Sequence, residues 1–231
     1  MKIARSFALA LEICLNESGL MFINQKEYWN KFYSSKVFGE DLSHPSQFAA
    51  FVLGESFGVN TIIDVCCGNG RDAAFFNRYG KTVFAFDNSK SAILSNRHNY
   101  GSVTDLTFKV FDFTNEISDL GFDLNTHKII YARFFIHALK DVGIKSFFSN
   151  CRKMMTANDQ LFLEYRTEHD AKLEKVTGEH YRNFLNVGEV EEMLHAHGLK
   201  TSYSAQGLGF SKWKADDACV ARHIVSKIDG A

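Results

Sequence analysis

Thr61-Ile-Ile-Asp-Val-Cys-Cys-Gly-Asn-Gly-Arg-Asp72 runs from an apolar strand into a glycine-bearing turn and restarts as a helix. Such a turn presents bare backbone N–H groups at the carboxyl edge of a sheet, where nucleotide-like ligands bind. The next apolar run, Val83-Phe-Ala-Phe-Asp87, closes on an acidic residue placed to accept both hydroxyls of a ribose. The separation of Gly70 from Asp87 is close to that of dinucleotide sites, with Ala73 where the third glycine of G-x-G-x-x-G falls.

Outward from this stretch, apolar runs predict strands at 60 to 65, 82 to 86, 106 to 110, 128 to 132 and 159 to 165. Helical patterns at 71 to 79, 89 to 98 and 141 to 155 separate them, and this alternation predicts a parallel, doubly wound α/β sheet. Glu189 to His197 reads as a further helix stopped by Gly198, and Thr201 to Ala205 with Cys219 to Lys227 as a closing strand pair. Aromatics at helical spacing from Lys26 to 39 suggest a helix packing on the sheet. Another helix starts near Ser43, with Pro45 expected in its first turn. Residues 1–25 are expected to form an arm or short peripheral helix: Lys2, Arg5 and Phe7 to Leu11 imitate a secretory leader, but Glu12 interrupts the run. Residues 26–231 read as one domain, because 231 residues with 45% hydrophobic content suffice for one sizeable core.

Composition narrows the function. A net charge of −1 gives no global basic field for nucleic acid or anionic membrane, so any anion site must be local. Five scattered cysteines argue against a secreted disulfide framework and for a cytoplasmic protein. The adjacent pair Cys66-Cys67 is too close for zinc spacing, no metal is expected, and no apolar run approaches a membrane span.

The motif Asp64-Val-Cys-Cys-Gly-Asn-Gly70, followed by Val83 to Asp87 and by Phe111-Asp-Phe113, resembles the class I S-adenosylmethionine-dependent methyltransferases. That family's first motif reads D-x-G-x-G-x-G, and Cys66 stands at its first glycine. The resemblance implies a seven-stranded Rossmann-like sheet with a C-terminal antiparallel hairpin, and S-adenosylmethionine as cofactor. It assigns Asp64, Cys66, Cys67, Gly68, Asn69, Gly70 and Arg71 to the cofactor turn, Asp87 and Asn88 to the ribose, and Tyr131 to the same site. Asp112 is expected to accept from the adenine amine and Phe113 to offer a backbone N–H; Asp112 capping the turn that follows is the alternative.

The ends of the fourth and fifth predicted strands carry charge: Tyr131-Ala-Arg-Phe-Phe-Ile-His137 and Glu164-Tyr-Arg166, with a later loop bearing His180-Tyr-Arg182. Together with Pro45-Ser-Gln-Phe-Ala49 and Gly68-Asn-Gly-Arg-Asp72, these words resemble methyltransferases associated with bacterial surface-polysaccharide (capsule and O-antigen) assembly, some of which modify phosphate-containing chain ends. The resemblance implies an O-methyltransferase acting on a phosphate-containing or other anionic saccharide or its precursor. Arg133, Arg166, His180 and Arg182 would then orient a pre-ionised oxygen, whereas a hydroxyl acceptor would need His137 or His180 as base. Arg133 and Arg166 pairing with Glu164, Glu168 or Asp170 is the structural alternative. A methyltransferase for a small-metabolite hydroxyl, amine or thiol, a non-methylating nucleotide-binding module and an inactive scaffold stand as alternative functions. The acceptor's identity and the oligomeric state stay open.

Overall fold

In the computed structural model, the described residues are 14–15, 21–22, 25–34, 44–117, 120–173, 175, 180–213 and 216–228. Most of the expected arm, and the expected helix beyond Ser34, lie outside them. Within the arm, β1 (Cys14–Leu15) pairs antiparallel with β2 (Met21–Phe22). Then follow α1 (Gln25–Ser34), α2 (Gln47–Glu55), β3 (Thr61–Val65), α3 (Arg71–Arg78), β4 (Thr82–Asp87), α4 (Lys90–Tyr100), β5 (Leu106–Val110) and β6 (Lys128–Arg133). The second half runs α5 (Asp141–Met154), β7 (Gln160–Arg166), α6 (Val187–Ala196), β8 (Leu199–Gly207), β9 (Lys212–Trp213), β10 (Asp216–Asp217) and β11 (Val220–Lys227).

Seven strands form one sheet in the order β5-β4-β3-β6-β7-β11-β8. The first five are parallel, while β11 runs antiparallel to both β7 and β8. Order reverses between β3 and β6, which makes the carboxyl ends of those strands the switch point where α/β sheets bind ligands. Both faces are covered. Ile62, Val83, Ala85 and Ile129 meet Phe48 and Val52 of α2, Phe76 of α3 and Ile93 of α4. Ile63, Val65, Ile130 and Leu161 meet Phe147 and Phe148 of α5 with Val190 and Leu194 of α6. This explains why β3 reads as an unbroken apolar run, since all five of its residues are buried.

Pro45 lies outside its helix. Ser46 is the N-cap of α2, its hydroxyl accepting from Ala49 N–H at 3.0 Å, so the proline sits one residue before the cap and not in the first turn. Buried Lys128 anchors the start of β6 by donating to Asp159 at 2.6 Å and to the carbonyls of Leu124 and Thr126.

Candidate active site

The glycine turn is held by its neighbours. Cys67 N–H donates to Phe86 O and Gly70 N–H to Cys67 O, while Gly68 N–H donates to Asp87 at 2.9 Å. Gly68 and Gly70 have φ of +53° and +74°, the left-handed region that glycine enters without steric cost. Space is a second reason for them: a Cβ on Gly68 would collide with the Tyr33 hydroxyl, and one on Gly70 would lie 2.9 Å from the Phe108 ring and 3.0 Å from Asn96. Cys66 occupies the same left-handed region, at φ +64°, with a side chain. Its thiol hydrogen-bonds Asp87, which gives that strained residue a function in the turn.

Asp87 therefore does more than end β4. Its carboxylate accepts from Gly68 N–H, Ser89 N–H at 2.8 Å and the Cys66 thiol, tying the turn to the start of α4. Burial raises its pKa and these donors pull against that rise. Asp64 is also buried, and its Oδ2 has no hydrogen-bond partner among the described residues. Burial, then Asp72 and Asp87, lift its pKa well above the usual carboxylate range, a state that an incoming cation would relieve.

These residues line one cavity of about 240 Å³ at the carboxyl ends of the central strands, near the lower end of the range for small-ligand sites. The cofactor residues expected from sequence are brought together here: Asp64, Cys66, Cys67, Gly68, Asn69, Arg71, Asp87, Asn88 and Tyr131 all contribute to its wall. Gly70 stands beneath as the residue before α3. A side recess between Cys66, Asp87, Asn88, Asp112 and Phe113 adjoins it. There Asp112 accepts from the N–H and hydroxyl of Thr114 at 2.9 and 2.7 Å, the capping geometry set beside the adenine role. Phe113 is buried, and its carbonyl accepts from Asn150. Tyr131 is also fixed: its hydroxyl donates to Asp72 at 2.7 Å and lies 3.1 Å from Ser46, whose N–H and hydroxyl both reach Asp72.

The same cavity gathers Arg133, His137, Arg166, His180 and Arg182. The structural pairing is present as well. Arg133 donates to Glu164 at 2.9 Å and to Ser211, and Glu164 also receives Arg222. Arg166 bridges Asp170 at 2.7 Å and Asp216 at 2.6 Å. The two guanidinium groups also lie over the Phe134 ring, at 4.1 and 5.4 Å from its centre, and Phe134 itself holds a left-handed φ of +55°. The late loop is tied in where Asn183 N–H donates to His137 O at 2.7 Å.

One backbone contact assigns the tautomer of His137. Its Nδ1 accepts a long 3.4 Å bond from Arg166 N–H, so the neutral ring carries its hydrogen on Nε2. Burial, then the charges of Arg166, His180, Arg182 and Arg133, push its pKa well below the ordinary histidine value. Three arginines and His180 thus act in one direction on this buried ring, although Arg133 and Arg166 are paired with carboxylates.

Several lining residues had no role in the sequence reading. Trp29 and Tyr33, one turn apart on α1, face the cavity; their helical spacing carried that information. Asp72, which closes the glycine-turn motif but was assigned no role, lines it too, as do Ser211, Trp213 and Asp216, which no motif marked. Among the described residues, no His, Cys, Asp and Glu cluster could hold a metal, and no helix is long and apolar enough to cross a membrane.

The donor set fits S-adenosylmethionine. Bare glycine backbone, a buried Asp64 oxygen lacking a partner among the described residues and the Asp87 carboxylate suit an amino acid joined to a ribose. Residues 62–158 match the family model of a methyltransferase domain. No curated protein matches the chain. Among solved structures, the CcbJ methyltransferase from Streptomyces caelestis is similar at a TM-score of 0.67 and 13% identity, covering 89% of this chain and 99% of its own. A TehB-like SAM-dependent methyltransferase from Corynebacterium glutamicum gives 0.60 and 15%, covering 88% and 97%. The glycopeptide N-methyltransferase MtfA, solved with S-adenosylmethionine, gives 0.62 and 13%, covering 80% and 88%.

Proposed function

We propose that this chain, an S-adenosylmethionine-dependent methyltransferase by the domain it carries, methylates an oxygen of an anionic acceptor, best a phosphate-containing saccharide or its precursor. The observation that carries the reading is the clustering of Arg133, Arg166, His180 and Arg182 with His137 on the cavity wall beside the cofactor residues. The ion pairs redistribute the work. Arg166 is held by two carboxylates and acts mainly through field, whereas Arg133 is held by one and, with Arg182 and His180, is the part of the cluster proposed to orient the acceptor. A role in surface-polysaccharide assembly is the biological setting this acceptor suggests.

S-adenosylmethionine supplies an electrophilic methyl group on a sulfonium. The glycine turn and Asp64 would hold its amino-acid end, Asp87 its ribose, and the Asp112 recess its base. The chain's remaining contribution is to position the nucleophilic oxygen and keep water away. A phosphate oxygen is already ionised near neutral pH and needs no base. The tautomer of His137 agrees, because its Nε2–H offers a donor to an anion and no lone pair to a hydroxyl proton.

The test is methyl transfer from S-adenosylmethionine to paired acceptors, hexose phosphates and the same sugars without phosphate, followed by S-adenosylhomocysteine release. Turnover that requires the phosphate supports the reading. Turnover on the uncharged sugar alone, or on amines and thiols, overturns it.

A further inference from the structure

The β9/β10 hairpin forms the part of the cavity wall that neither the cofactor residues nor the arginines explain. Trp213 and Asp216 stand directly opposite each other in its ladder, and both line the cavity. Asp216 is 4% exposed. Its Oδ2 accepts from Arg166 at 2.6 Å, but its Oδ1 is buried with no hydrogen-bond partner among the described residues. A buried carboxylate oxygen left without a donor is costly, and such atoms in native proteins usually await a ligand, water or ion. Trp29 on α1 also lines the cavity, so both tryptophans of the chain contribute to it.

We propose that Asp216 Oδ1 accepts a hydrogen bond from a hydroxyl of the acceptor, and that Trp213 and Trp29 give that hydroxyl-bearing ring apolar faces to lie against. Asp216 is thereby a specificity-determining residue for a sugar ring; the inference deepens the saccharide reading and rests on it for the anionic group alone. A neutral donor fits better than an ammonium. Asp216 already carries the Arg166 charge at 2.6 Å, and Arg182 feels both groups, so another cation there meets like charge. Oxygen acceptors beside aromatic faces are what polyhydroxylated rings require, with C–H surfaces packed and hydroxyls donating.

The experiment follows tryptophan fluorescence of the full chain saturated with S-adenosylhomocysteine, titrated with three kinds of probe. Glucose, galactose and mannose 6-phosphates carry ring, hydroxyls and charge; cyclohexyl phosphate carries ring and charge; the methyl glycosides carry ring and hydroxyls. At least one hexose phosphate is expected to bind about tenfold more tightly than cyclohexyl phosphate, the scale of one charge-assisted bond. Asp216→Asn turns its amide oxygen to Arg166 and its NH2 to the cavity, and is expected to erase that preference without changing S-adenosylhomocysteine affinity. Equal binding of cyclohexyl phosphate in the wild type, or a preference that survives Asp216→Asn, overturns the inference while leaving the anionic-acceptor reading standing. Methyl glycosides that bind as well as the phosphates, and lose binding in Asp216→Asn, sink the anionic reading and keep the Asp216 subsite. No binding by any probe overturns both. If melting shows Asp216→Asn unfolded, the wild-type comparison still decides, because it needs no variant.

Discussion

Asp87 offers the sharpest separation between holding the fold and holding the cofactor. From sequence, Asp87→Ala is expected to cost cofactor affinity heavily and leave the fold intact. The structure changes the second half of that expectation. Alanine removes the acceptor for Gly68 N–H and Ser89 N–H, both buried, along with the partner of the Cys66 thiol. Each orphaned N–H costs about 1–3 kcal/mol, so Asp87→Ala is expected to lose about 2–6 kcal/mol of stability, a large part of a typical domain's total. Asp87→Asn keeps one acceptor oxygen and escapes the burial penalty that raises the carboxyl pKa. It is expected to fold with a loss of about 1–2 kcal/mol and to lose S-adenosylhomocysteine affinity by about tenfold or more, because a charge-assisted ribose bond is gone. Urea denaturation and calorimetry on both variants provide the assay. Alanine within about 0.5 kcal/mol of wild type would refute the structural half of the reasoning. Unchanged affinity in folded Asp87→Asn would take Asp87 out of the ribose site.

Cys66→Gly is expected to fold and bind S-adenosylhomocysteine like wild type, since relief of the φ +64° strain offsets the lost thiol bond, whereas Cys66→Val is expected to lose about 2 kcal/mol or more in denaturation. Gly68→Ala is expected to weaken cofactor binding by pushing the Tyr33 hydroxyl off the turn, with partial recovery in Gly68→Ala/Tyr33→Phe measured by calorimetry; no coupling between the two sites would show that Tyr33 does not pack there. Burial lowers the pKa of His223 to about 4, with Glu191 opposing. Its neutral form is therefore the folded one: stability is full above the unfolded pKa near 6.5, and about 3 kcal/mol is lost as pH falls from there toward about 4. His223→Gln is expected to flatten that limb by about one proton in the slope of stability against pH.

The parallel sheet was legible because its strands are buried on both faces and the turns between them are chemically marked. Val83 to Asp87 and Leu161 to Arg166 read as apolar runs closing on charge, and they end where the cavity opens. The cofactor half was legible for the same reason, as the residues at strand ends are those that touch the ligand space. The acceptor half was legible only in part. Arg133 and Arg166 could be placed at the switch point, but sequence spacing could not say that Glu164, Asp170 and Asp216 would meet them, because Asp216 arrives from the two-residue strand β10 about fifty positions later. Long-range partners chosen by tertiary packing leave no periodic trace.

The balance of charges decides how the acceptor half can work. Glu164 is shared between Arg133 and Arg222, Asp170 between Arg166 and Lys175, and Asp216 also holds Arg166, so four cations meet three carboxylates. Burial alone would lower the His137 pKa; Arg166, His180, Arg182 and Arg133 lower it further, which places His137 as a neutral Nε2–H donor throughout the physiological range. Turnover on a phosphate-bearing acceptor is therefore expected to show no loss attributable to a histidine base between pH 8 and about pH 6, below which the phosphate itself takes a proton. If activity instead falls through the ordinary histidine range near 6.5 and His137→Gln abolishes both that titration and turnover, the ring is working as a base. A hydroxyl acceptor would then replace the phosphate oxygen, and the arginines would be left as the scaffold that their ion pairs already make them.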